Sequence, residues 1–148
     1  MRIFILPVLF AASAASPQTR DTSLALIPQP RQVARVRDIT LKRWVTIELP
    51  ANGEDRFAAR DLGDELKARG VRVVYDGSGS ARLEFARMGT AHAKAVLAKA
   101  KIVWTEPMNA EGYAIVSSGT RLVVIARTAP GVFYGAQTVK QLVDGEGA

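Results

Sequence analysis

The stretch that decides the fold runs from 111 to 143. It reads Glu-Gly-Tyr-Ala-Ile-Val at 111–116, Ser-Ser-Gly-Thr at 117–120 and Arg-Leu-Val-Val-Ile-Ala at 121–126. After Arg127 and Thr128 it continues Ala-Pro-Gly-Val-Phe-Tyr-Gly-Ala-Gln-Thr-Val-Lys-Gln-Leu-Val at 129–143. Tyr113 to Ser117 and Leu122 to Ala126 are β-rich runs, and Ser118, Gly119 and Thr120 between them have the composition of a hairpin turn. Continuous apolar runs of this kind suit strands covered on both faces. Thr128 can cap a following helix, with Pro130 in its first turn, where a missing N–H costs nothing. Val132, Ala136, Val139 and Val143 recur at steps of four, three and four, which is one helical face, and Phe133 and Tyr134 widen it. The expectation is a hairpin that delivers the chain into a helix packed back on its own sheet.

Upstream, Val45, Ile47 and Leu49 alternate with Trp44, Thr46 and Glu48, the period of a half-buried strand within 39–49. Pro50-Ala51-Asn52-Gly53 ends it, and Asn52 can cap the next helix with Asp55 three residues on. Ala58, Leu62 and Leu66 line one face of that helix with Phe57 beside them, and Gly70 is placed to stop it. Val71 to Tyr75 is a strand, Asp76-Gly77-Ser78-Gly79-Ser80 a turn-rich loop, and 81–86 another alternating strand. Thr90 to Ala100, rich in alanine and lysine with Val96 and Leu97 as its main apolar residues, predicts a short and rather exposed helix. Leu24 to Val33, with Pro28 and Pro30, is extended chain for an edge or rim. The sum is an α+β fold, a two-layer sandwich: a sheet of about four to five strands with two main helices on one face.

Glu111-Gly112-Tyr113, the hairpin, Ala129-Pro130-Gly131 and Phe133-Tyr134-Gly135-Ala136-Gln137-Thr138 resemble the end of the N-terminal domain of bacterial β-N-acetylhexosaminidases, glycoside hydrolase family 20. Leu26-Ile27-Pro28-Gln29-Pro30-Arg31-Gln32-Val33 resembles that domain's opening. The resemblance implies a zincin-like, non-catalytic accessory domain over 24–148. Its expected partner is a catalytic (β/α)8 barrel, typically of about 250 residues or more, which this chain, ending at Ala148, does not contain. Related domains precede family 84 hexosaminidase and α-glucuronidase barrels, and a free-standing module for amino-sugar glycans is the alternative. The catalytic Asp-Glu pair and substrate-binding arginine of the family fall in the barrel, so the resemblance carries no catalytic residue onto this chain.

With 148 residues, 48% of them hydrophobic, the chain suits one domain with a core. Residues 1–16 read as a signal peptide: Arg2, an apolar run from Ile3 to Phe10, and Ala12-Ser13-Ala14 as a cleavage pattern near Ala14. Pro7 and the alanine-serine tail fit a buried N-terminal strand poorly, and the run is too short to span a bilayer. Residues 17–23 are a linker, and the expected location is periplasmic or secreted. Cysteine is absent, which excludes thiolate chemistry and disulfides. The net charge of +6 comes from scattered lysines and arginines. No basic run is interleaved with stacking aromatics, so no nucleic-acid platform is expected.

Candidate chemistry is thin. Gly63-Asp64-Glu65 matches the family's Gly-Asp-Glu catalytic triplet in letters, and protonating a glycosidic oxygen does need a carboxyl group. Here Leu62 precedes it, no histidine lies upstream, and it falls mid-helix, where Glu65 can pair with Arg69 four residues on. His92, the sole histidine, has no partner at metal-ligand spacing and reads as a surface residue rather than a triad base. The 76–80 loop lacks the Gly-Lys-Ser/Thr end of a phosphate loop. Trp44, Trp104, Tyr113, Phe133 and Tyr134 are the aromatics a sugar platform would use, but most of them lie at core periods, so core packing is expected. The expectation is no catalytic, cofactor-binding or metal residue in this chain.

Overall fold

The computed structural model describes residues 44–144 and the short strands β1 (Arg2–Ile3) and β2 (Ile39–Thr40). The linker, most of the leader and the 24–33 opening lie outside the described residues. The main sheet holds β3 (Trp44–Ile47), β4 (Arg72–Tyr75), β5 (Ala81–Arg87), β6 (Tyr113–Ser118) and β7 (Arg121–Ala126) in the order β4-β3-β5-β7-β6. All neighbours are parallel except the β6–β7 hairpin. A small ribbon, β2-β1-β8, sets Arg2–Ile3 between Ile39–Thr40 and β8 (Val143–Asp144).

Helices α1 (Gly53–Ala68) and α3 (Ala129–Leu142) pack side by side on one face of the sheet. α1 starts where Asn52 accepts from the backbone N–H groups of Glu54 and Asp55. It stops at Gly70, whose φ of +80° is a conformation that side chains resist. There Gly70 N–H donates to Lys67 O and Val71 N–H to Leu66 O, the paired closure of a Schellman motif. Ala58, Leu62 and Leu66 meet Val45, Ile47 and Leu83 of the sheet. α3 starts at Thr128, whose hydroxyl accepts from Gly131 N–H and donates to Ala110 O. Val132, Ala136, Val139 and Val143 all lie in the core, as their spacing predicts.

α2 (Ala91–Lys99), capped by Thr90, is the short and rather exposed helix expected, with only Ala93 and Leu97 buried. It covers the opposite face of the hairpin, where Ala93 and Leu97 pack on Ala114, Val116, Val123 and Ile125. Its apolar stripe is thin, and Met88, Val96, Ala100, Ile102 and Trp104 complete a second small cluster over that face. Hence β7 is buried on both faces from Leu122 to Ala126, the covering its unbroken apolar run implies.

The 76–80 loop is a strand crossover. β4 and β5 both run parallel to β3 on opposite sides of it. Such a connection usually takes a dozen residues or more. Five residues suffice here because the loop lies flat across β3, with Trp44 Nε1 donating to Ser78 O and Ser80 N–H to Trp44 O. A Cβ on Gly79 would stand 2.7 Å from Thr46 Oγ1 and 2.8 Å from Thr46 N. The glycines of this loop therefore allow a close backbone approach.

Candidate functional site

The triplet Gly63-Asp64-Glu65 sits where the third turn of α1 passes into the fourth and is held by structural contacts. Any Cβ on Gly63 would overlap Tyr75 Oη. Asp64 is exposed and pairs with Lys67 Nζ at 3.0 Å. That bond, with a second to Tyr75 Oη, raises the Lys67 ammonium above its ordinary value. Glu65 pairs with Arg69 at 2.8 Å, the i,i+4 pair its spacing implies. Arg69 in turn donates to Lys140 O and Val143 O, tying the end of α1 to the end of α3. Asp64 thus pairs within its own helix, Glu65 steadies the arginine that joins α1 to α3, and neither lines the cleft beside Phe57 or the pocket under α2.

His92 lies in the first turn of α2, where its Nε2 meets Glu84 Oε2 at 3.0 Å. Glu84 is only 6% exposed, and its other oxygen meets Arg121 Nε at 2.8 Å. Sequence periodicity puts Glu84 on the polar face of β5, yet α2 roofs that face. The carboxylate is tolerable there because two cationic or donor groups meet it. Among the described residues no hydrogen bond joins His92 to a serine or threonine hydroxyl, so the base–nucleophile contact of a triad is not made.

The aromatics divide. Tyr113 is buried beneath α3 and shares a 2.6 Å hydrogen bond with Thr138 Oγ1. Trp44 and Trp104 are partly buried, each with its indole N–H satisfied, by Ser78 O and Asn109 Oδ1. Phe57, Phe133 and Tyr134 instead gather at the outer, N-terminal ends of α1 and α3. Phe57 stacks on Phe133 at 6.4 Å between ring centres, and Tyr134 meets Phe133 edge-on at 6.0 Å. Phe57 is 64% exposed and Tyr134 40%. With Glu54, Ala129 and Pro130 they bound a shallow cleft of about 470 Å³. The core reading of Tyr134 is thus corrected: its ring stands at the edge of an open aromatic patch.

Burial pushes the Tyr113 phenol above its ordinary 10.0, and the Thr138 bond opposes that shift. The folded state therefore holds the proton more tightly than the unfolded chain. This contribution is fully present below about pH 10 and is lost as pH rises through the folded-state value. Tyr113→Phe is expected to cost about 1 kcal/mol at neutral pH, through the stranded Thr138 hydroxyl. It should also flatten the alkaline fall. Urea titrations at pH 8 and above pH 10 check both effects, and parallel losses for variant and wild type would contradict the assignment.

Neither cavity pairs two carboxylates: the cleft beside Phe57 offers Glu54 alone, and the pocket under α2 is lined by no acid. Acid–base hydrolysis of a glycoside calls for such a pair, or for a carboxyl beside the substrate's own nucleophile. Fold and contacts together define an α+β domain whose polar side chains mostly fasten elements to each other. The chain belongs to glycosyl hydrolase family 20, domain 2, whose family model matches residues 23–148. The solved structure of CpGH84D, whose name places it in family 84, is similar in fold with a TM-score of 0.63 at 12% identity. That match covers 81% of this chain and 21% of the CpGH84D chain, so the present chain spans about a fifth of its length. No curated protein matches the chain.

Proposed function

We propose that this domain is the non-catalytic partner of a β-N-acetylhexosaminidase barrel, in an exported enzyme that breaks down amino-sugar glycans. It docks through the outer ends of α1 and α3. The observation that carries the reading is the aromatic patch of Phe57, Phe133 and Tyr134, in which Phe57 and Tyr134 stand exposed on either side of a partly buried Phe133. Clustered exposed aromatics of this kind mark interaction surfaces. Family membership supplies the occupant, a (β/α)8 barrel. The coding sequence adjoining this chain's is expected to encode, in frame, a barrel carrying His-x-Gly-Gly-Asp-Glu. Produced separately, that barrel should bind the domain, and the double variant Phe57→Ser, Tyr134→Ser should weaken binding at least tenfold without lowering Tm. Unchanged binding would contradict the docking face. Retention on chitin lost with the same variant would instead favour a glycan-binding module.

Export rests on the leader pattern at 1–16. Cleavage near Ala14 would remove β1 and leave β2 and β8 without the strand between them. N-terminal sequencing of the mature protein from periplasm or medium tests this, and a sequence starting at Met1 would contradict it.

A further inference from the structure

On the sheet face opposite α1 and α3, a cavity of about 570 Å³ opens between α2 and the tip of the β6–β7 hairpin. Its floor is aliphatic, formed by Val96, Val116 and Val123, and its mouth is basic, formed by Lys99, Lys101 and Arg121. We propose that this pocket binds a small organic carboxylate with an aliphatic tail. The inference does not rest on the docking role proposed above, since it concerns the other face of the sheet.

Three observations carry it. First, the volume falls in the range of small-molecule sites, roughly 300–1,000 Å³, and an apolar floor with a few convergent polar groups is their usual make-up. Second, the charge at the mouth is one-sided. Lys67 and Lys140 have carboxylate partners, whereas Lys99 and Lys101 have none among the described residues. Arg121 is held in place from behind by buried Glu84, which leaves its side chain about half exposed at the rim.

Third, Lys101 stands where its backbone resists a side chain. α2 closes as α1 does, with Lys101 N–H donating to Ala98 O and Ile102 N–H to Leu97 O. α1 uses Gly70 for this turn, at φ +80°, and α2 uses Lys101, at φ +57°. The left-handed conformation is unfavourable for residues bearing a Cβ, and such strain gathers at functional positions. A lysine kept at the pocket mouth, in a glycine's place, is accounted for by a need for its charge there. No phenylalanine, tyrosine or tryptophan is among the residues lining the cavity, and its one imidazole, His92, is engaged by Glu84, so the aliphatic floor favours an acyl tail over a bare sugar acid.

Titration of the full chain with sodium octanoate, followed by amide chemical shifts, tests the assignment. Saturable shifts are expected, confined to α2 and the hairpin tip. Sodium glucuronate and octanol, which lack the tail and the charge respectively, should bind at least tenfold more weakly. Lys101→Gly should raise Tm by a few degrees while weakening octanoate at least fivefold, opposite signs that a purely structural lysine would not give. Lys99→Gln should weaken octanoate with Tm unchanged. No saturable octanoate binding, equal binding of octanol or glucuronate, or unchanged affinity in Lys101→Gly would each overturn the proposal.

Discussion

Arg87→Ala is expected to destabilise the domain by about 3 kcal/mol, the low end of what breaking a buried ion pair costs. Asp55, in the first turn of α1, is 3% exposed. Its two oxygens are held by one guanidinium, Oδ2 by Nε at 2.6 Å and Oδ1 by Nη2 at 2.7 Å. The third donor, Nη1, reaches Arg127 O at 2.8 Å. One side chain thus joins the start of α1, the end of β5 and the turn into α3. Truncating it strands a buried carboxylate. The exposed backbone N–H groups at the start of α1 and some water entry past a partly exposed Arg87 offset part of the cost. Lysine at 87 supplies the charge but not the fork, so it should recover about half. Urea unfolding of the three proteins checks this, and a loss below about 1 kcal/mol in Arg87→Ala would contradict the buried-pair account.

Gly135→Ala reverses the sign that helix propensity alone dictates. In an exposed helix, alanine for glycine gains about 1 kcal/mol. At 135 the new Cβ would overlap Val124 Cγ1, with Tyr113 Cδ2 at 3.5 Å. Both neighbours belong to the core and cannot swing into solvent. Overpacking of this kind costs about 3 kcal/mol, so the net loss is about 2 kcal/mol and Tm should fall by roughly 10 °C. Val124→Ala in the same background should recover part of it by making room. A raised Tm in Gly135→Ala would show that α3 does not sit against β7 as described.

The same glycine explains why so much of the fold was legible in 111–143. A Cβ at 131 would stand 2.8 Å from Gly112 O and one at 135 would overlap Val124, so the motif's glycines record the contact between helix and hairpin. Strand and helix periods gave α1, α3 and the sheet for the same local reason, as did the caps at Asn52, Gly70 and Thr128. What sequence periods cannot carry is a second layer. Alternation assigns Glu84 to a polar face without revealing that α2 roofs it. The thin alanine stripe of α2 foretells its exposure but not which strands Ala93 and Leu97 cover. Phe57 precedes Ala58 by one residue, about 100° around the helix, and that offset turns it outward into the patch with Phe133. The Asp55–Arg87 pair, 32 residues apart, has no signature in either segment. As for chemistry, the Gly63-Asp64-Glu65 letters were outweighed by their helical setting, and the contacts of Asp64 and Glu65 are those a surface helix makes.

The central proposal is that this domain is a scaffold and does no hydrolysis. Release of 4-nitrophenol from 4-nitrophenyl N-acetyl-β-glucosaminide by the purified 148-residue chain tests it most directly, with Glu65→Gln alongside. The account predicts a rate equal to buffer for both proteins; turnover by the wild type that Glu65→Gln abolishes would contradict it.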